Sequence, residues 1–286
     1  MRFSQVGVIG GGAMGSGIAE VCAKAGRSVV IVDIGSDALA AARDRVATST
    51  LRAVNRGKLT ADEREAAIER IEFASSLSAL AGSDLVIEAV AEDEQVKAEV
   101  FGRLGEIVSD DAVVATNTSA MSVTRLAGNL SLPERFLGLH FFNPAPVRRL
   151  VEVVDGQLTD PMVGDQVELF VTESLGKVAV RTSDRPGFVV NALLTPYLLS
   201  AIRLLEQGAA TAEQIDLGMV EGCAHPIGPL HLADMVGLDT LVAASEAMYG
   251  ALREPQYCPP PLLVRMVEAG LTGTKSGRGF FTYDVA

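Results

Sequence analysis

The chain has only three histidines and three cysteines, too few basic residues to balance its acids, and no long uninterrupted apolar run. Cys22, Cys223 and Cys258 lie far apart and show no metal-ligand spacing, a pattern that fits a reducing compartment. Lysine and arginine total 24 against 36 acidic residues, for a formal charge of -12. A polyanion such as DNA is therefore a poor partner, because phosphate binding needs clustered positive charge. An anionic small molecule stays open wherever basic residues gather locally. No apolar stretch reaches about 18 residues, the length expected of a membrane span. No basic segment with an apolar run and cleavage site precedes residue 6. The expectation is a cytoplasmic protein with neither nucleic acid nor membrane as partner. With so few histidines, His140, His225 and His231 each need a reason.

What is present is a chain of 286 residues, 48% hydrophobic, long enough to bury one large domain and a smaller one. Up to about residue 181, short β-branched apolar runs alternate with longer helical stretches, the pattern of a Rossmann-type, doubly wound and mainly parallel α/β sheet. The expected strands are 6–9, 28–33, 85–89, 113–116, 136–141, 150–154 and 178–181. Residues 37–56 and 60–70 read as two polar, alanine-rich helices capped at Asp37 and Thr60, an excursion beyond a minimal βαβ unit. After Asp184-Arg185-Pro186-Gly187 the strand pattern stops, and 188–207, 212–222 and 238–252 show helical periodicity. This predicts domains at 1–185 and 186–286, the second all-helical, with an active site expected between them.

Gly10-Gly11-Gly12-Ala13-Met14-Gly15 follows the first strand and opens a helix rich in small residues. In that context G-x-G-x-x-G predicts a dinucleotide site. Gly10 permits the turn, Gly12 lets the amides of Ala13 and Met14 approach a pyrophosphate, and Gly15 allows close packing of helix on strand. Asp33, eighteen residues after Gly15, is placed to accept hydrogen bonds from the adenosine ribose and to repel a 2′-phosphate. Ile34 and Gly35 offer no arginine to receive that phosphate, so the expected cofactor is NAD.

His140 ends an apolar run, and Glu152 follows twelve residues later in another. On neighbouring strands they form a general base and the carboxylate that orients it, which suits removal of an alcohol proton. The bland alternatives are a satisfied core imidazole and a solvated strand glutamate. Asn117-Thr118-Ser119 caps the strand 113–116, where open α/β sheets place their ligands. Ser119 is a candidate donor to a substrate oxygen, unless it, Thr118 or Ser122 is spent capping the next helix.

Together Asn117-Thr118-Ser119, the stretch from His140 to Glu152, and Pro186-Gly187-Phe188-Val189-Val190-Asn191 resemble the 3-hydroxyacyl-CoA dehydrogenases. The segments starting at His225, Gly237 and Lys275 look like the C-terminal motifs of that family, in the family's order. The resemblance spans nearly the whole chain and is nearest to the short 3-hydroxybutyryl-CoA dehydrogenases. It implies an L-3-hydroxyacyl-CoA substrate, NAD, and a homodimer formed through the helical domain. It also implies His140 as base, Glu152 as its partner, and Ser119 with Asn191 as ligands of the reacting oxygen or thioester carbonyl. Glu92 and Lys97 look like further cofactor contacts. Asn143 and Lys275 match positions that approach the cofactor in the family, although a turn asparagine and a surface lysine are the plain readings. Arg52, Arg56 and Lys58 gather where the helical excursion turns. They read either as a seat for CoA phosphates or as basic residues favouring a helix C-terminus. His225 and His231 read as structural.

Ala120, Ala192 and Arg148-Arg149 depart from the commonest family pattern, which leaves the acyl tail or its carrier open. A dehydrogenase of carrier-protein-linked hydroxyacyl groups, a non-catalytic NAD-binding protein and a free-acid β-hydroxyacid dehydrogenase are the competing readings. The last class usually uses a lysine base.

Overall fold

A computed structural model describes residues 3–284. The chain divides into two compact units, one ending at Arg185 and the other beginning at Pro186. The first contains β1 (Gln5–Ile9), α1 (Ala13–Lys24), β2 (Ser28–Val32), α2 (Ser36–Asn55), α3 (Ala61–Glu69), β3 (Ile71–Ala74), β4 (Leu85–Glu88), α4 (Glu94–Leu104), β5 (Val113–Thr116), α5 (Val123–Ala127), β6 (Phe136–Phe141), β7 (Leu150–Asp155), α6 (Pro161–Leu169) and β8 (Val178–Ser183). The second contains α7 (Val190–Glu206), α8 (Ala212–Cys223), α9 (Pro229–Val236), α10 (Leu238–Leu252) and α11 (Pro261–Glu268).

The strands form one eight-stranded sheet in the order β3-β2-β1-β4-β5-β6-β7-β8. Every pairing is parallel except β6 with β7. The central strands β4, β5 and β6 are buried along their whole length. Covered on both faces, they read as continuous apolar runs with no alternation. Because β1, β2, β4, β5 and β6 run in one direction, the segments that leave their carboxyl ends emerge along one edge of the sheet. These are the glycine loop, Asp33, the 89–93 turn, Asn117 to Ser119, and the exit from His140.

Two details of the first unit differ from the sequence expectation. β3 is an additional strand; it pairs with β2 at the sheet's margin, and only Ile71 of its four residues is buried. Four residues including Glu72, following directly on a helix, carry too weak an apolar pattern to stand out. The α2–α3 excursion is thus the crossover from β2 to β3, and both helices pack against α1. The cap of α2 also moves. Gly35, with φ 88°, precedes the helix and no side chain caps it, so Asp37 sits in the first turn, where its charge favours the helix dipole. Thr60 does cap α3, in a reciprocal box with Glu63.

The second unit has its own core, built from Leu198, Leu199 and Ile202 of α7 with Leu230, Leu238 and Leu263. Two short helices, α9 and α11, supplement the expected three; each has proline at its start and spans only about two turns. His225 Nδ1 meets the Tyr197 hydroxyl at 3.0 Å, and His231 Nδ1 meets Asp216 Oδ2 at 2.6 Å with its ring stacked on Phe281. No helix among the described residues is long and apolar enough to cross a membrane.

Candidate active site

His140 and Glu152 are directly opposed in the antiparallel β6–β7 pair, which puts both side chains on one face of the sheet. Both are buried, and His140 Nδ1 lies 2.7 Å from Glu152 Oε2. A buried carboxylate is costly to leave uncompensated, by several kcal/mol. The imidazole provides that compensation, and the carboxylate in return fixes the ring's orientation. Phe142 lies beside the imidazole at 4.5 Å between ring centres. The Phe141 amide donates to Asn117 Oδ1 at 2.8 Å, so the first residue of the Asn-Thr-Ser triplet fixes the end of the strand that carries His140.

Thr118 and Ser119 are held by a separate polar network. Glu88, fully buried at the end of β4, accepts from Lys97 Nζ at 2.6 Å, from Thr116 Oγ1 at 2.6 Å and from the Val90 amide at 2.8 Å. Lys97 also reaches Glu92 Oε2 at 3.2 Å. Glu92 Oε1 accepts from the Thr118 hydroxyl and from the Ser119 amide. The ion pair therefore ends in two hydrogen bonds that set the loop bearing Ser119. The helix cap expected in this region is Ser122, whose Oγ accepts from the Arg125 amide. Asp184 ties the same helix start to the end of β8, accepting from Ser122 Oγ and from the Val123 and Thr124 amides. Relieved of capping, the Ser119 hydroxyl has no partner among the described residues.

The glycine loop shows which glycines serve the fold. A Cβ on Gly10, whose φ is 99°, would come 2.5 Å from the Ala89 carbonyl oxygen, and one on Gly15 would come 1.8 Å from that of Gly10. A Cβ on Gly12 would meet nothing within 4 Å. Gly12 is not required by packing, so open space lies where a ligand would approach the start of α1. No side chain caps that helix and no acid occupies its first turn, which leaves its first amides and positive dipole end to an anion. Asp33 stands beside the loop, with Oδ2 accepting from the Gly11 amide and Oδ1 from the Ile34 amide, each at 2.6 Å. These features fit the phosphates and ribose of a dinucleotide.

Family models cover both units: the NAD binding domain of 3-hydroxyacyl-CoA dehydrogenase matches residues 5–185, and its C-terminal domain matches 187–283. The chain belongs to the 3-hydroxyacyl-CoA dehydrogenase family. It is an NAD-dependent oxidoreductase of that family. A 3-hydroxybutyryl-CoA dehydrogenase of Mycobacterium tuberculosis is 52% identical over 282 residues, covering 98% of this chain and 99% of the relative. One from Bradyrhizobium diazoefficiens is 42% identical, covering 98% and 96%. Among solved structures, FadB2 of M. tuberculosis superposes with a TM-score of 0.97 at 51% identity, covering 99% of this chain and all of the other. The (S)-3-hydroxybutyryl-CoA dehydrogenase PaaH1 of Ralstonia eutropha gives 0.95 at 42% identity, with the same coverage.

Within this dehydrogenase the remaining sequence candidates fall in several places. Asn143 is exposed just past β6, and its carbonyl accepts from Arg148 Nε at 3.4 Å. Lys97, expected at the cofactor, is buried between Glu88 and Glu92, a use that the sequence reading did not foresee. Arg52, Arg56 and Lys58 are exposed around the C-terminal end of α2 and form no ion pair among the described residues. Asn191 lies in the first turn of α7, its side chain without a hydrogen-bond partner among the described residues. Lys275 pairs with Asp239, whose carboxyl is held below its ordinary range chiefly by that hydrogen bond. Sequence reasoning missed Glu88, Thr116, Asp184 and the bond made by Asn117. For Glu88 a signal existed, since a glutamate ending an apolar strand is unusual.

Proposed function

We propose that this dehydrogenase interconverts 3-hydroxybutyryl-CoA and acetoacetyl-CoA, with His140 as general base. The observation that carries this reading is the buried, directly opposed His140–Glu152 pair at 2.7 Å, on the sheet edge that also carries the glycine loop. With Nδ1 facing the carboxylate, proton exchange with the substrate 3-hydroxyl falls to Nε2. The carboxylate faces the positive charge that the ring gains. Ser119 and Asn191 bind the oxygen as it changes from hydroxyl to carbonyl. When bound, NAD supplies the acceptor for the hydride leaving C3. Gly10, Gly12, Ala13, Met14, Gly15 and Asp33 hold its adenosine half, while Glu92, Asn143 and Lys275 serve the rest of the cofactor. Lys97 acts there through Glu92. Arg52, Arg56 and Lys58 receive the phosphates of CoA, a local cationic cluster on an acidic chain.

The reading includes a homodimer through the helical unit, supported by its exposed Leu193, Leu217 and Met235, and a cytoplasmic location, supported by three free cysteines. The 3-hydroxybutyryl-CoA dehydrogenase names of close relatives support the substrate. The test is acetoacetyl-CoA-dependent oxidation of NADH. His140→Ala should lower kcat by about 10²- to 10⁴-fold while NADH still binds, and Glu152→Gln should lower it in the same direction. No turnover of any CoA thioester by the unaltered protein, or full activity in His140→Ala, would overturn the assignment.

A further inference from the structure

The residues that follow Asp33 in sequence offer no arginine, yet the fold brings one to the glycine residue that Asp33 also holds. Ala38, Ala42 and Arg45 lie on one face of α2, at spacings of four and three residues. That face packs on the glycine loop: a Cβ on Gly11 would come 2.8 Å from Ala42 Cβ, 3.6 Å from the Ala38 carbonyl oxygen and 3.2 Å from Asp33 Oδ2. One turn further along, Arg45 Nη1 donates to the Gly11 carbonyl oxygen at 3.0 Å, and Ser16 Oγ donates to the same oxygen at 2.9 Å. Gly11 is thus gripped from both ends, its amide by the Asp33 carboxylate and its carbonyl by the Arg45 guanidinium.

A guanidinium has five N–H donors and is always charged. Arg45 makes one hydrogen bond and no ion pair among the described residues, and its side chain is exposed. Gly11 therefore has the carboxylate assigned to the adenosine ribose at its amide and a cation with unused donors at its carbonyl.

We infer that Arg45 is a specificity-determining residue of the cofactor site, a receiver for a 2′-phosphate whose use Asp33 blocks by repulsion. NAD preference then rests on one carboxylate, with the cation for NADP already in place. The inference rests on the assignment of Asp33 to the ribose, which the same experiment reports separately.

The experiment measures Kd for NADH and NADPH by fluorescence titration in the unaltered protein, Asp33→Ser, Arg45→Met and the double variant. Asp33→Ser should weaken NADH and tighten NADPH by about tenfold or more. Adding Arg45→Met should weaken NADPH again by about tenfold, the scale of one charge-assisted contact, with a smaller change for NADH. In the unaltered background, Arg45→Met should also raise the ratio of the NADPH Kd to the NADH Kd, so the inference stays testable if Asp33→Ser fails to fold. Equal loss of both cofactors on removing Arg45 would make it a loop support only and overturn the inference, as would no change in either. Unchanged NADH binding in Asp33→Ser would instead remove the ribose assignment, and the inference with it.

Discussion

Cys22 lies fully buried in α1, and burial pushes its thiol up to about 12 from an ordinary 9.0. The thiol stays protonated in the folded protein while the unfolded chain ionises it, so its contribution to stability is intact below pH 9 and is lost between pH 9 and about 12. Chemical denaturation across that window should show Cys22→Ala losing less stability than the unaltered protein, by up to about 1.4 kcal/mol per pH unit. Cys223 and Cys258 are exposed and should react with a thiol reagent in the native state, with Cys22 following only on unfolding. Single residues stood out as candidates in the sequence where their type is rare or their motif tight, as with His140, Asp33 and Ser119. Glu88 and Lys97 were harder, because their meaning lies in a 2.6 Å ion pair between a strand end and a helix. Sequence spacing alone does not show that a charge is buried.

The glycine loop and α1 separate folding from binding at neighbouring positions. Gly12→Ala places a methyl in open space, so its melting temperature should stay close to that of the unaltered protein while NADH affinity falls by tenfold or more. Gly15→Ala forces a methyl against the Gly10 carbonyl and should lower the melting temperature itself. Equal melting temperatures for the two variants would contradict this division. Strand and helix identities were readable because parallel strands buried on both faces are continuous apolar runs. β3 was not, since a short marginal strand draws its order from its neighbour β2 and little from its own side chains. The pairing of β6 with β7 belongs to this scale too. A twelve-residue separation permits many geometries, and only the antiparallel register sets His140 opposite Glu152.

At the scale of the whole molecule the two units have separate cores, and the second is closed by its C-terminal segment. Asp234, fully buried in α9, accepts from the Phe280 and Phe281 amides at 3.0 Å and from the Tyr283 hydroxyl at 2.9 Å. The same contact, after burial, pushes the tyrosine hydroxyl's ionisation up. Asp234→Asn turns one acceptor oxygen into a donor and should cost about 1–3 kcal/mol. Hydrogen exchange should rise in the helical unit while the sheet amides of the first unit keep their protection; a uniform rise across both units would contradict independent cores. By itself the sequence determined the α/β class, the helical second half, the dinucleotide loop and the family, because apolar periodicity, glycine spacing and ordered motifs are local properties. Only the tertiary structure decided which charges meet. The opposition of His140 and Glu152, the chain from Glu88 to Ser119, and the hold of Asp33 and Arg45 on Gly11 each join segments that strand pairing and helix packing bring together.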